Sequence, residues 1–182
     1  FVDDTRVVFD AFKDKVSDTF DDATSLHFNN VSIDDDGQYI CELQDINGDK
    51  YEDKRKMNVI KKPVITMTTS RQANENLAAG ESLQVNCTAE GSFPETQIQW
   101  LLNEKEFNGV GGEPNTHTLA DGSMTTVVTG ELIIEDEHLG KDLACKATIK
   151  DFGHIGTRKF TLTGTPSTEP APNQEVEVKD QS

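Results

Sequence analysis

The sequence holds no apolar run near the roughly 20 residues of a membrane span, and no basic, apolar and small-residue leader. It starts at Phe1 and not at Met. It therefore reads as an internal fragment, with any anchor or leader outside it. Basic residues are scarce: 17 stand against 33 acidic ones, a net charge of −16, spread as −6 over 1–62, −7 over 63–164 and −3 over 165–182. Phosphate neutralisation needs clustered Lys and Arg, so the balance excludes nucleic acid and anionic lipid as partners. Catalytic signatures are missing as well: there is no G-x-S-x-G, HExxH or Walker loop, and GVGG at 109–112 precedes no helix. His27, His117, His138 and His154 lie scattered without metal spacing. Asp45, Asn47 and Asp49 begin like a calcium loop, but Lys50 and Lys56 stand where Gly and Glu are required. No enzyme activity, small-molecule substrate, metal or cofactor is expected. Cysteine is rare too, and Cys41, Cys87 and Cys145 form no CxxC pair of the zinc or redox kind.

What is present is strand grammar. SLQVNCTA at 82–89 alternates Leu83, Val85, Cys87 and Ala89 on one side with Gln84, Asn86 and Thr88 on the other. TQIQWLL at 96–102 and DLACKATI at 142–149 repeat that period, and TTVVTGELII at 125–134 and RKFTLT at 158–163 are β-rich. The first 62 residues offer RVVFDAF (6–12), TSLHFNNVSI (24–33), GQYICELQ (37–44) and YEDKRKMNVI (51–60), with Asn47-Gly48 marking a hairpin between the last two. No window supports a long amphipathic helix, so the class is all-β. Lys61-Lys62-Pro63 reads as a short stiff linker. Residues 165–182 lack apolar periodicity and read as a disordered stalk.

Cys87 lies 13 residues before Trp100 and 58 before Cys145, the spacing of an immunoglobulin-type β-sandwich in which an indole packs on a bridge between strands B and F. Closing such a loop contributes about 4 kcal/mol by the chain-entropy estimate. In the first segment, Asp35, Gly37, Tyr39 and Cys41 fit D-x-G-x-Y-x-C, the strand F and tyrosine-corner signature. The same parity would bury Tyr39, Cys41 and Leu43. Only 40 residues precede Cys41, so its strand B partner is expected to be missing along with strands A to C, leaving Cys41 unpaired. Lys15 stands where such domains place a base opposite the strand F aspartate, which predicts a Lys15–Asp35 ion pair. The acidic clusters 34–36 and 135–137 read as solvated turn residues. The expected order is part of a V-type domain over 1–62, a complete C-type domain over 63–164 and the stalk, with Trp100 and Tyr39 as core residues.

SLHFNNVSIDDDGQYICEL, the Pro linker, ESLQVNCTAEGSFPETQIQWLLN and TTVVTGELIIEDEHLGKDLACKATI together resemble the tandem V and C-type ectodomains of the nectin and nectin-like group. Leu143 replaces the strand F tyrosine, as in that group's second domain, whereas QDINGDKY lacks the nectin T-(F/Y)-P signature, which leans toward the nectin-like branch. The resemblance implies a cell-surface adhesion receptor that pairs through its V-domain G, F, C, C′ and C″ sheet with a protein on an apposed cell, homophilically or heterophilically. Ile40, Glu42, Gln44, Asp45, Ile46 and Asn47, with Phe9 and Phe12, are then the expected partner-binding residues. The V segment's own negative charge favours a basic heterophilic partner. The alternatives are an immune receptor or co-receptor ligand on the same scaffold, or a secreted binding protein without an anchor. Sequons at Asn30 and Asn86 imply N-glycosylation along a secretory route.

Overall fold

The computed structural model describes residues 27–166. Its elements are β1 (Gly37–Gln44), β2 (Lys50–Met57), β3 (Val64–Thr69), β4 (Ser82–Ser92), β5 (Thr96–Leu102), β6 (Lys105–Glu106), β7 (Pro114–Thr118), β8 (Met124–Ile133), β9 (Asp142–Ile149) and β10 (Gly153–Thr161). The all-β class therefore holds. Two four-stranded antiparallel sheets, in the orders β10-β9-β5-β6 and β3-β4-β8-β7, enclose one core.

That core follows from the alternation in β4, β5 and β9. Leu83, Val85, Cys87 and Ala89 from one sheet meet Trp100, Leu143, Cys145 and Ala147 from the other, all buried. Cys87 and Cys145 are joined, and Trp100 lies directly opposite Cys145 in the β5–β9 register, so the indole sits beside the bridge. Leu143 is fully buried, and an apolar side chain there needs no hydrogen-bond partner. Strand β10 starts at Gly153, five residues before the expected RKFTLT run. A register shift between His154 and Gly156 lets this earlier stretch join the ladder, and Gly156 leaves room for the Ile65 side chain.

β1 and β2 form a separate antiparallel hairpin. Of the expected strand at 24–33, the described part contributes only a single bridge at Phe28, followed by a 3-10 turn over Ile33–Asp35. The physical reason is a cap: the Asp35 carboxylate accepts from the Ser32 backbone N–H at 2.7 Å and from its hydroxyl at 3.1 Å, turning the chain. Asp35 is thus buried inside a cluster that read as solvated. Its backbone carbonyl accepts from the Tyr39 hydroxyl at 2.9 Å, and the ring packs edge-on against Phe28. Tyr39 is half-buried and not a core residue.

Lys61 carries the chain onto the sandwich. Its backbone exchanges two hydrogen bonds with Phe93, both 2.9 Å, while its ammonium lies 2.6 Å from Asp121. The Lys61 ammonium, followed by the Ser123 hydroxyl and backbone N–H, holds the Asp121 carboxyl well below the usual carboxylate range.

Candidate recognition surface

In an antiparallel ladder, directly opposed residues share a face. Gln38 faces Lys56, Ile40 faces Lys54, Glu42 faces Glu52 and Gln44 faces Lys50. This face is exposed, with Ile40 at 54%. Its charges pair locally: Lys50 lies 2.7 Å from Glu42, and Lys54 3.1 Å from Glu52. Three lysines stand against two glutamates on the described part of this face.

The hairpin ends in a built turn. Asp45 donates its backbone N–H to the Asp49 carbonyl at 2.9 Å, and its carboxylate accepts from the Asn47 and Asp49 backbone N–H groups, both at 2.9 Å. Gly48 adopts φ +89°, a left-handed conformation open to glycine at little cost. The loop is longer than the two residues that Asn47-Gly48 alone implies, because the Asp45 side chain organises Asp45 to Asp49 as one unit. One carboxylate oxygen of Asp45 is thereby committed to the backbone. The turn leaves Ile46 fully exposed at its tip.

The opposite face pairs Tyr39 with Arg55, Cys41 with Asp53 and Leu43 with Tyr51. Cys41 and Leu43, which strand parity places inward, are exposed, Leu43 at 66%; Tyr51 is exposed as well. Among the described residues the hairpin is a two-stranded sheet with no facing sheet, so parity alone buries nothing. Cys41 is a free thiol. Phe9, Phe12 and Lys15 lie outside the described residues, and with them the Lys15–Asp35 pairing. Asn30 is exposed and Asn86 half-buried, its Oδ1 accepting from the Thr88 hydroxyl of the same sequon at 3.2 Å.

One cluster escaped the sequence reading because its members lie on a 3-10 turn and not in a motif. Glu135, Glu137 and His138 bring potential ligand atoms within 4.8 Å of one another. His138 is buried, and its Nδ1 accepts from the Glu135 backbone N–H at 3.1 Å. That bond assigns the proton of a neutral ring to Nε2, which then points a donor, and not a lone pair, at the two carboxylates. His138 caps a turn.

Residues 63–154 match the family described as the CD80-like C2-set immunoglobulin domain. The chain is 35% identical over 80 residues to cell adhesion molecule 1 of Mus musculus, covering 44% of this chain and 17% of that protein. It is 31% identical over 89 residues to vascular endothelial growth factor receptor 2 of Mus musculus, covering 49% of this chain and 6% of the receptor. The chain thus spans a sixth or less of the length of these relatives. Among solved structures, the full ectodomain of mouse nectin-like molecule 4 superposes with a TM-score of 0.53 at 15% identity, over 78% of this chain and 46% of that one. At that identity the likeness concerns the fold alone.

Proposed function

Because the chain belongs to the CD80-like C2-set immunoglobulin domain family, we propose that it is part of an extracellular adhesion or recognition receptor that binds a protein partner through the Ile40 face of β1 and β2. Domains of this family are recognition modules and not catalysts, and the relatives that resemble the chain are an adhesion molecule and a receptor. In this reading residues 1–62 belong to a V-type domain and residues 63–164 to a C-type spacer that projects it.

The observation that carries the proposal is an exposed face on which Lys50 pairs with Glu42 and Lys54 with Glu52, with Ile40 on the sheet and Ile46 at the turn as apolar anchors. Isolated anchors set among locally neutralised charges are the arrangement that supplies interface energy without like-charge repulsion. A basic heterophilic partner stays within this reading, since most of the net negative charge of residues 1–62 belongs to 1–26, outside the described residues. Both homophilic and heterophilic pairing are compatible with the surface.

Beads and cells test it. Beads coated with the full chain, presented to one another and to cell panels, are expected to aggregate or bind, and Ile40→Asp with Ile46→Asp is expected to reduce that at least tenfold. Binding that survives both changes places the interface elsewhere.

A further inference from the structure

The sandwich has an opening of its own on the side where β6 and β7 are the edges of the two sheets. Strand β6 is two residues long and pairs only with Leu101 and Leu102, and beyond it the Phe107 N–H reaches back to the Trp100 carbonyl at 3.0 Å. Along Thr96 to Gln99, β5 therefore has β9 on one side and, among the described residues, no strand on the other. A cavity of about 650 Å³ opens there, lined by β5, by Phe107 and Val110, and by Pro114, Thr126 and Val128 from the opposite sheet.

Two lining groups are buried without a hydrogen-bond partner: the Trp100 indole N–H, on a residue 6% exposed, and the Thr96 hydroxyl, on one 1% exposed. Buried polar groups are normally satisfied, and each exception calls for an explanation. The charged lining residues are Glu95 and Glu106, both exposed; Glu95 Oε1 accepts from the Thr116 hydroxyl at 2.7 Å, which leaves its other oxygen for a guest, and no basic side chain lines the cavity.

We infer that this opening is a second binding site, one that accepts an extended basic peptide segment of a partner protein as an added strand on β5. The free edge spans four residues, about 13 Å of strand at roughly 3.3 Å per residue, and offers backbone donors and acceptors to a guest. Side chains alternate along an added strand, so every second one enters the cavity. A hydroxyl or carboxamide there meets the Trp100 N–H and the Thr96 hydroxyl. Lysine or arginine at the remaining positions answers the Glu95 and Glu106 carboxylates. The site is independent of the β1–β2 face, so either proposal can fail while the other stands.

Trp100 is the one tryptophan of the chain, so its emission reports occupancy of the cavity directly. Titrating the full chain with an acetylated and amidated (Lys-Thr)4 peptide is expected to shift that emission saturably, whereas (Glu-Thr)4 and lysine amide leave it unchanged. The double variant Glu95→Gln with Glu106→Gln, which removes both charges and leaves an amide oxygen at 95 to accept from the Thr116 hydroxyl, is expected to keep the parent melting temperature and lose at least tenfold in affinity. No shift with the basic peptide, an equal shift with the acidic peptide or with lysine amide, or undiminished affinity in the double variant overturns the inference.

Discussion

The Tyr39 hydroxyl ties the entry of β1 to the Asp35 carbonyl, a contact that the D-x-G-x-Y-x-C pattern announces. Tyr39→Phe removes one hydrogen bond of ordinary net worth, about 1 kcal/mol, and leaves the ring contact with Phe28 in place. Hydrogen exchange is expected to show the amides of Gly37 to Cys41 opening more easily by that amount, with those of β9 unchanged. Leu143 occupies the corresponding place in the sandwich and acts by packing instead. Leu143→Ala leaves a cavity in a fully buried site and is expected to cost about 2 to 5 kcal/mol in urea unfolding. The thiols separate just as sharply. Under native, non-reducing conditions a thiol reagent is expected to label one cysteine per chain, Cys41, and a second or third equivalent only after unfolding and reduction.

At the scale of elements, much of the sandwich was legible because its strands bury one face and expose the other: β4, β5 and β9 follow the alternation of Leu83 to Ala89, Ile98 to Leu102 and Leu143 to Ile149. What was not legible depended on contacts distant in sequence or on backbone turns. Cys41 and Leu43 have the period of buried residues, yet burial requires a facing sheet, which no period encodes. Asp35 and His138 sit in acidic stretches that read as solvated, but each is drawn inward by a backbone N–H it caps. The Lys61–Asp121 contact joins residues 60 apart and carries no local signal. Its pH dependence has a definite sign. Folding lowers the Asp121 pKa, so the contact contributes fully above the ordinary aspartate value of about 4 and fades as pH falls from there to the depressed folded value. The stability difference between the parent and Asp121→Asn is expected to be constant from pH 8 to 5 and to shrink in melting curves below pH 4.

Among the described residues, the acidity of the chain does not gather on the candidate binding face. Charge summed along the sequence predicts repulsion between two copies. The β1–β2 register places Lys50, Lys54 and Lys56 on the same face as Glu42 and Glu52, so the described part of that face carries no net negative charge. Exposed ion pairs of this kind contribute little to stability, of the order of 0 to 1 kcal/mol, so their value lies in pairing charge locally around Ile40. The sandwich holds its disulfide in a buried core and has, at its β6–β7 side, an additional opening. The most direct test of the recognition face compares two full-chain variants in one bead and cell binding assay: Ile40→Asp with Ile46→Asp on the hairpin, and Val64→Asp at an exposed apolar position of β3. The account predicts that the hairpin variant loses binding at least tenfold while the β3 variant binds like the parent; the reverse pattern, or equal loss in both, would contradict it.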